Sequence, residues 1–163
     1  FTDFIFSDGK FNAVLNGERD LLDLLTDYTK THAVPHAPEA VLDYWLAKDA
    51  VVDTQVLGWL TACPIQGVIA TNNEQRRADY MWETMGFKAH MAMIFASGPL
   101  GVKKPDGRFF AAIEEWSGLA PADILLIDDA EKNIHAASAR GWQTFHFTAE
   151  TRHNLPAVLG VTP

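Results

Sequence analysis

Residues that can bind a phosphate or a metal ion follow short apolar runs at two places in the chain, with a lysine between them. Thr71 and Asn72 follow IQGVIA, Asp128 and Asp129 follow ILLI, and Lys104 lies in GVKKPDG. Carboxylates hold Mg²⁺ through oxygen, lysine is a point cation for phosphate, and a threonine hydroxyl can bond a phosphoryl oxygen. Together these residues predict a site that binds Mg²⁺ and an anion.

Each of these groups also has a purely structural interpretation. Thr71 and the asparagines after it could cap a helix, and Lys104 before Pro105 could belong to a solvated turn. Asp128 and Asp129 could be helix caps as well, but two ionised carboxylates side by side at a buried strand end repel unless a cation intervenes. Both interpretations therefore stay open for the individual groups.

Short apolar runs alternate with helical patterns from residue 65 onward and place these groups at strand ends. The patterns predict strands at Ile65–Ala70, Met91–Ala96, Ile124–Ile127 and Gln143–Phe147, and helices at Glu74–Met85, Phe109–Trp116 and Glu131–Arg140. Such alternation predicts right-handed crossovers and an α/β fold with a doubly wound parallel sheet. Ligands bind beyond the carboxyl ends of the strands in such a sheet.

The first 60 residues have a different, helical pattern. Apolar stripes run over Leu21–Leu25, Ala40–Leu46 and Val56–Leu60, with a proline-containing break at Val34–Glu39. The sequence therefore predicts a small helical subdomain over residues 11–60, ahead of an α/β core over residues 61–163.

Composition limits the classes of partner and location. The 163 residues carry a net charge of −8, which argues against affinity for nucleic acid or an anionic membrane. The single cysteine, Cys63, excludes an internal disulfide and suits a reducing compartment. No apolar run approaches the ~20 residues of a membrane span. We therefore expect a cytoplasmic protein that binds neither nucleic acid nor membranes.

The order TNN, KPD and LLIDDAEKNIHAASARGW resembles motifs II, III and IV of the haloacid dehalogenase superfamily. Asp128 and Asp129 match the acidic pair of motif IV, Asn133 its asparagine and Gly141 its helix-ending glycine. The resemblance extends over residues 65–150, and the preceding helical region looks like the small cap of the family. It implies a Rossmann-like α/β core with that cap.

The resemblance also implies a chemistry. In this family an aspartate attacks phosphorus, and the aspartyl-phosphate is then hydrolysed. Thr71 and Asn72 would bind the phosphorylated substrate, Lys104 would neutralise the transferred group, and Asp128 and Asp129 would hold Mg²⁺. Because true 2-haloacid dehalogenases usually lack the paired acids, the resemblance favours a Mg²⁺-dependent phosphatase acting on a small phosphorylated metabolite.

The DxDG motif, which carries the nucleophile of the family, has no clean match. In FTDFIFSDGKFN, Asp8 before Gly9 can match the second aspartate, which makes it a catalytic candidate, but Phe6 then stands in place of the nucleophile. Residues 1–10 would then be a degenerate first strand. Alternatively, FNAVLNGERDLLDLL begins the cap, and the motif lies upstream of Phe1.

A missing first strand would leave an open slot in the middle of the sheet, with unpaired backbone groups. It could be filled by Thr2–Phe6, by an exchanged strand from a second copy in a homodimer, or by another peptide. Three functions therefore compete: a Mg²⁺-dependent phosphatase or a piece of one, a non-catalytic binding module with the same fold, and, less favoured, a 2-haloacid dehalogenase.

Overall fold

The computed structural model describes residues 1–162, and the first part of the chain is helical. Its helices are α1 (Thr2–Phe6), α2 (Lys10–Leu15), α3 (Leu21–Thr31), α4 (Pro38–Lys48) and α5 (Thr54–Ala62). Helix α3 begins at Asp20, whose Oδ1 accepts the backbone N–H of Leu22 at 2.7 Å. The three helices predicted from apolar stripes are thus confirmed as α3, α4 and α5.

The second part alternates strands and helices, as predicted. Its strands are β1 (Ile69–Thr71), β2 (Ile94–Ala96), β3 (Leu125–Asp128) and β4 (Gln143–His146). Its α-helices are α6 (Gln75–Asp79), α7 (Ser97–Leu100), α8 (Gly107–Ser117), α9 (Glu131–Ala139) and α10 (Leu155–Leu159). Helix α6 continues as a π-helix over Tyr80–Thr84, and 3₁₀ turns lie at Phe87–Ala89, Pro121–Asp123 and Arg152–Asn154. The prediction of an α/β fold is confirmed.

The strands pair in parallel, and in residues 1–162 they form two two-stranded sheets. Strand β1 pairs with β2, Ile69 lying opposite Ile94, and β3 pairs with β4, Asp128 lying opposite His146. Strands β1, β2 and β4 are shorter than predicted and β3 is shifted by one residue, because an apolar run shows burial but not where hydrogen-bonded pairing begins and stops.

The first residues do not form the strand that was the nearest candidate for the open slot. Thr2–Phe6 is helix α1, in which the N–H groups of Phe4 and Ile5 bond the Phe1 carbonyl at 3.1 and 3.0 Å. The apolar residues recur at helical spacing, so that Ile5 is fully buried while Phe1 and Phe4 both pack on the Tyr28 ring. The prediction of a degenerate first strand in residues 1–10 is therefore wrong.

Contacts divide the chain into two units. The first contains residues 1–52 and 68–103, and the second contains residues 53–67 and the chain from Lys104 onward. Strands β1 and β2 thus group with helices α1 to α4, whereas α5 groups with β3 and β4. The predicted boundary between residues 60 and 61 does not coincide with this division, and the role of residues 11–60 as a cap stays a prediction.

Each unit has its own buried apolar residues. The first is built around a cluster of aliphatic residues from α1 to α4, namely Ile5, Val14, Leu21, Leu24, Leu25, Leu42 and Leu46. The buried apolar side chains of the second unit include those of Phe109, Phe110, Ile113, Leu126, Ile134, Trp142 and Leu155. Across the described residues, helices are too short or too polar to cross a membrane.

Candidate active site

Lys104 and Asp128 form a buried ion pair in the second unit. Lys104 Nζ donates to Asp128 Oδ2 at 2.5 Å, and the two side chains are only 7% and 4% exposed. The ammonium also lies 6.0 Å from the centre of the Phe109 ring. The lysine and the first acid of the predicted site are therefore brought together, although 24 positions separate them in the chain.

Asp128 is the last residue of β3, and its second oxygen organises the turn into α9. Oδ1 accepts the backbone N–H of Ala130 and the side-chain N–H of Asn133, both at 2.9 Å. Burial would raise the pKa of the Asp128 carboxyl, but the Lys104 ammonium and these two amides outweigh burial and lower that pKa. Asp128 is therefore ionised at neutral pH and serves both a structural and an electrostatic purpose.

Asn133 contributes an oxygen that has no hydrogen-bond partner. Because its amide nitrogen donates to Asp128, the amide oxygen must point elsewhere, and this buried Oδ1 finds no partner in the part of the chain that the structure describes. A buried polar atom without a protein partner is uncommon, so this oxygen is available to a bound water or ion.

Asp129 differs from its neighbour in that it is exposed. His146 Nε2, at the end of β4, donates to the Asp129 carbonyl at 2.9 Å and thereby ties the loop to the neighbouring strand. A buried carboxylate paired with lysine and an exposed one are thus adjacent beyond the carboxyl end of β3.

These residues fit a magnesium ion by their chemistry. Asp128, Asp129 and the unpartnered Asn133 oxygen all offer oxygen donors, and Mg²⁺ typically takes one or two carboxylates and completes its shell with water and phosphate oxygens. Within residues 1–162 there is no group of three or more His, Cys, Asp and Glu side chains that could hold a metal. A site here would therefore depend on water or substrate oxygens.

Thr71 ends β1, as predicted, and lies with Asn72 in the first unit. Its Oγ1 accepts the side-chain N–H of Asn73 at 2.7 Å. Neither Thr71 nor the asparagines cap the next helix, because Glu74 does so by accepting the backbone N–H groups of Arg76 and Arg77. The roles of Thr71 and Asn72 in phosphate binding stay predictions.

Sequence reasoning missed Glu74, a buried acid at the start of α6. Burial raises the pKa of the Glu74 carboxyl, and the two capping amides only partly offset that effect. The only signal in the sequence was a glutamate before a helical pattern, which is common in exposed caps as well.

Asp8 lies in a turn and not at the end of a strand. It follows α1, has a positive φ of 53°, and its 81%-exposed side chain is 3.8 Å from Lys10 Nζ. The structure therefore does not give Asp8 the strand-end position on which its catalytic assignment was based, and that assignment stays a prediction.

Comparison with known proteins identifies a family and several relatives. The model of the haloacid dehalogenase-like hydrolase family matches residues 51–147. A phosphoglycolate phosphatase from Pseudomonas putida is 25% identical over 100 residues, which cover 61% of this chain and 37% of the relative. A GMP/IMP nucleotidase from Escherichia coli is 26% identical over 117 residues, covering 61% of this chain and 53% of the relative.

Solved structures share the fold at low sequence identity. A predicted HAD-like family hydrolase from Porphyromonas gingivalis has a TM-score of 0.77 at 16% identity, covering 96% of this chain and 82% of the other. A HAD family enzyme from Bacteroides thetaiotaomicron, solved with magnesium and inorganic phosphate, has a TM-score of 0.75 at 17% identity, covering 87% and 77%. These structures confirm the fold.

The alignments cover little more than half of the curated relatives at most. The family model nevertheless matches 97 of the 163 residues and includes both Lys104 and the acid pair. Together with the geometry of the ion pair, this match shows that the chain belongs to the haloacid dehalogenase-like hydrolase family.

Proposed function

We propose that this chain is the phosphate- and magnesium-binding part of a phosphatase that acts on small phosphorylated molecules through an aspartyl-phosphate intermediate. The observation that carries the proposal is the buried Lys104–Asp128 pair, with the exposed Asp129 directly after it. Two relatives named as a phosphoglycolate phosphatase and a nucleotidase support the substrate class, because both names denote enzymes that act on phosphate monoesters.

The side chains of this chain would act on the phosphoryl group by charge and hydrogen bonding. Lys104, held by Asp128, would neutralise charge that develops on the transferring group, and the Thr71 hydroxyl would donate to one of its oxygens. Asp128 and Asp129 would hold Mg²⁺, which when bound supplies further charge neutralisation. We assign no nucleophile among the described residues.

A non-catalytic binding module is the alternative that a specific observation favours. Residues 1–10 form helices and a turn, so the candidate acid nearest to a DxDG motif does not follow a strand. Such a module would bind inorganic phosphate or Mg²⁺ through the same residues without turning over a phosphoester.

The test measures phosphate release from p-nitrophenyl phosphate by the full-length protein, with and without Mg²⁺. We expect release that requires Mg²⁺ and that is lost in Asp129→Asn and in Lys104→Met, while Lys103→Met, next to the site, retains it. Binding of Mg²⁺ and inorganic phosphate without any release would establish the binding module instead. Halide release from a 2-haloacid without added metal would establish a dehalogenase.

Further expectations about partners and location stay predictions. A homodimer that exchanges a strand is tested by light scattering of the purified chain. Cytoplasmic location and the absence of nucleic-acid or membrane binding depend on the net charge of −8 and the single cysteine.

A further inference from the structure

The first unit contains a pocket of about 400 Å³ that the proposed phosphate chemistry does not use. One part of its lining is aromatic and consists of Phe6, Phe11 and Trp45, whose ring centres lie 4.8 to 6.2 Å apart. Methionines Met81 and Met85 belong to the same lining. The volume lies in the range of small-molecule sites, about 300–1,000 Å³, and the rings offer faces and edges against which a flat group can pack.

The other part of the lining of this pocket is polar and charged. Asn73, Glu74, Arg77 and Asp49 contribute to it, and their two carboxylates and one guanidinium give a formal charge of −1. An aliphatic ligand would make no hydrogen bond to these groups beyond those that they make with one another and with the backbone, and an anion would meet a negative surface. A neutral ring that carries N–H donors satisfies both parts of the lining.

The lining is held in place before any ligand arrives. Arg77 donates to Asp49 Oδ2 at 3.0 Å, and its guanidinium lies 5.9 Å from the centre of the Trp45 ring. Glu74 is fixed by two backbone N–H groups at 2.6 Å. A preformed site loses less conformational entropy on binding, which favours a specific ligand over accidental packing space.

The π-helix supplies an independent observation. It spans Tyr80–Thr84 and carries Met81 into the lining, where the sulfur accepts the Asn73 side-chain N–H at 3.8 Å. Met85 directly follows it. π-helical turns are rare and occur frequently at functional sites. The position of this one beside the pocket therefore supports a binding role for the pocket.

We propose that the pocket of the first unit binds a neutral, planar, nitrogen-containing aromatic ring of the purine type. The ring packs against Trp45 and Phe11 and directs a ring N–H group to the Asp49 carboxylate. Binding requires neither phosphate nor a metal ion, so the inference is independent of the proposed hydrolysis.

The experiment is a titration of the purified chain with inosine, followed by the indole N–H resonances in ¹H–¹⁵N spectra. We expect saturable shifts of the Trp45 resonance and none of the Trp116 resonance, since Trp116 lies on α8 in the second unit. Ribose, which lacks the ring, should shift neither. An unmoved Trp45 resonance, or equal shifts with ribose, would overturn the proposal.

Two variants and one ligand pair complete the test. Trp45→Ala should weaken inosine binding by about tenfold or more, as expected for loss of a stacking partner, and Trp116→Ala should not. Met81→Trp, which fills the pocket while its lining stays apolar, should abolish binding even if Trp45→Ala fails to fold. Nicotinamide should bind more tightly than nicotinate, and the reverse order would contradict the charge argument.

The outcomes separate this inference from the proposed hydrolysis. Inosine carries no phosphate, so its binding can succeed when phosphate release fails. Conversely, phosphate release can be observed while the Trp45 resonance stays unmoved.

Discussion

At the scale of single residues, the Lys104–Asp128 pair makes a sharp prediction about stability. Replacing Lys104 with methionine leaves a buried carboxylate without its cation, which should cost about 3–5 kcal/mol of the free energy of unfolding. The exposed pair of Arg108 and Asp106 provides the control, and Arg108→Met should cost at most about 1 kcal/mol. Urea denaturation measures both.

A double variant separates the pair from the burial of its members. Lys104→Met combined with Asp128→Asn removes both charges, keeps an oxygen that can accept the Ala130 N–H, and should be more stable than Lys104→Met alone, because no unpaired buried charge is left. If the two substitutions instead destabilise additively, the side chains do not interact in solution.

The same pair predicts how stability depends on pH. The pKa of the Asp128 carboxyl in the folded protein is lowered below its ordinary 3.8, so the native state binds this proton less readily than the unfolded state. The stabilisation is therefore complete above pH 3.8 and is lost as the pH falls through the lower folded pKa. Asp128→Asn should flatten the pH dependence of urea stability below pH 4, and an unchanged curve would contradict the assignment.

The chemically active residues were predictable from the sequence to different degrees. Lys104 and Asp128 followed from motif order, because KPD and LLIDD resemble successive motifs of one family. The burial of Glu74 did not follow from the sequence, because it depends on a backbone segment that is far away in the chain and close in space. A Cβ on Gly98 would lie only 2.9 Å from the Glu74 Cα. Apolar periodicity predicts which face of a helix is buried, but it does not predict which other segment of the backbone lies close to the first residue of the helix.

At the scale of elements, Glu114 joins α8 to the end of α9 and the start of β4. Its carboxylate accepts from Arg140 at 2.6 and 2.7 Å and from Trp142 Nε1 at 2.7 Å. Glu114→Gln should lower the free energy of unfolding by about 1–3 kcal/mol, because it removes charge-assisted bonds and leaves partly buried donors unsatisfied. Thermal denaturation measures the loss.

The adjacent Glu115 is the matched control for that prediction. It is on the same helix and undergoes the same change of chemistry, but its side chain is exposed. Glu115→Gln should leave the melting temperature nearly unchanged. An equal loss in both variants would show that helix α8 responds to charge in general and that the link to Arg140 and Trp142 is unimportant.

Helices were easier to predict than strands for a physical reason. The end of α8 at Gly118, with a φ of 66°, follows from local sequence, since glycine adopts the left-handed conformation that terminates a helix without strain. Where a strand begins and ends, and whether Thr2–Phe6 forms a strand or a helix, depends instead on the residues that pack against these segments in the folded protein. The short β-favouring composition of that segment was overridden by packing of Ile5 in the aliphatic cluster of the first unit.

At the scale of the whole molecule, the order of motifs predicted the family, but the linear order of segments did not predict the units. The chain crosses between the two units three times, so each unit contains two separate segments. A boundary drawn at one residue cannot describe such an arrangement. Composition, by contrast, is independent of topology, and the net charge of −8 affects how the protein meets a charged ligand.

With the proposed phosphatase activity, an acidic protein would repel its anionic substrate at long range. Added salt screens this repulsion over about 10 Å at 0.1 M, so kcat/KM for a phosphorylated substrate should rise up to severalfold between about 10 and 150 mM NaCl at constant Mg²⁺. Affinity for the uncharged inosine should stay constant over that range. A fall in kcat/KM would show that the local field of Lys104 outweighs the total charge during encounter.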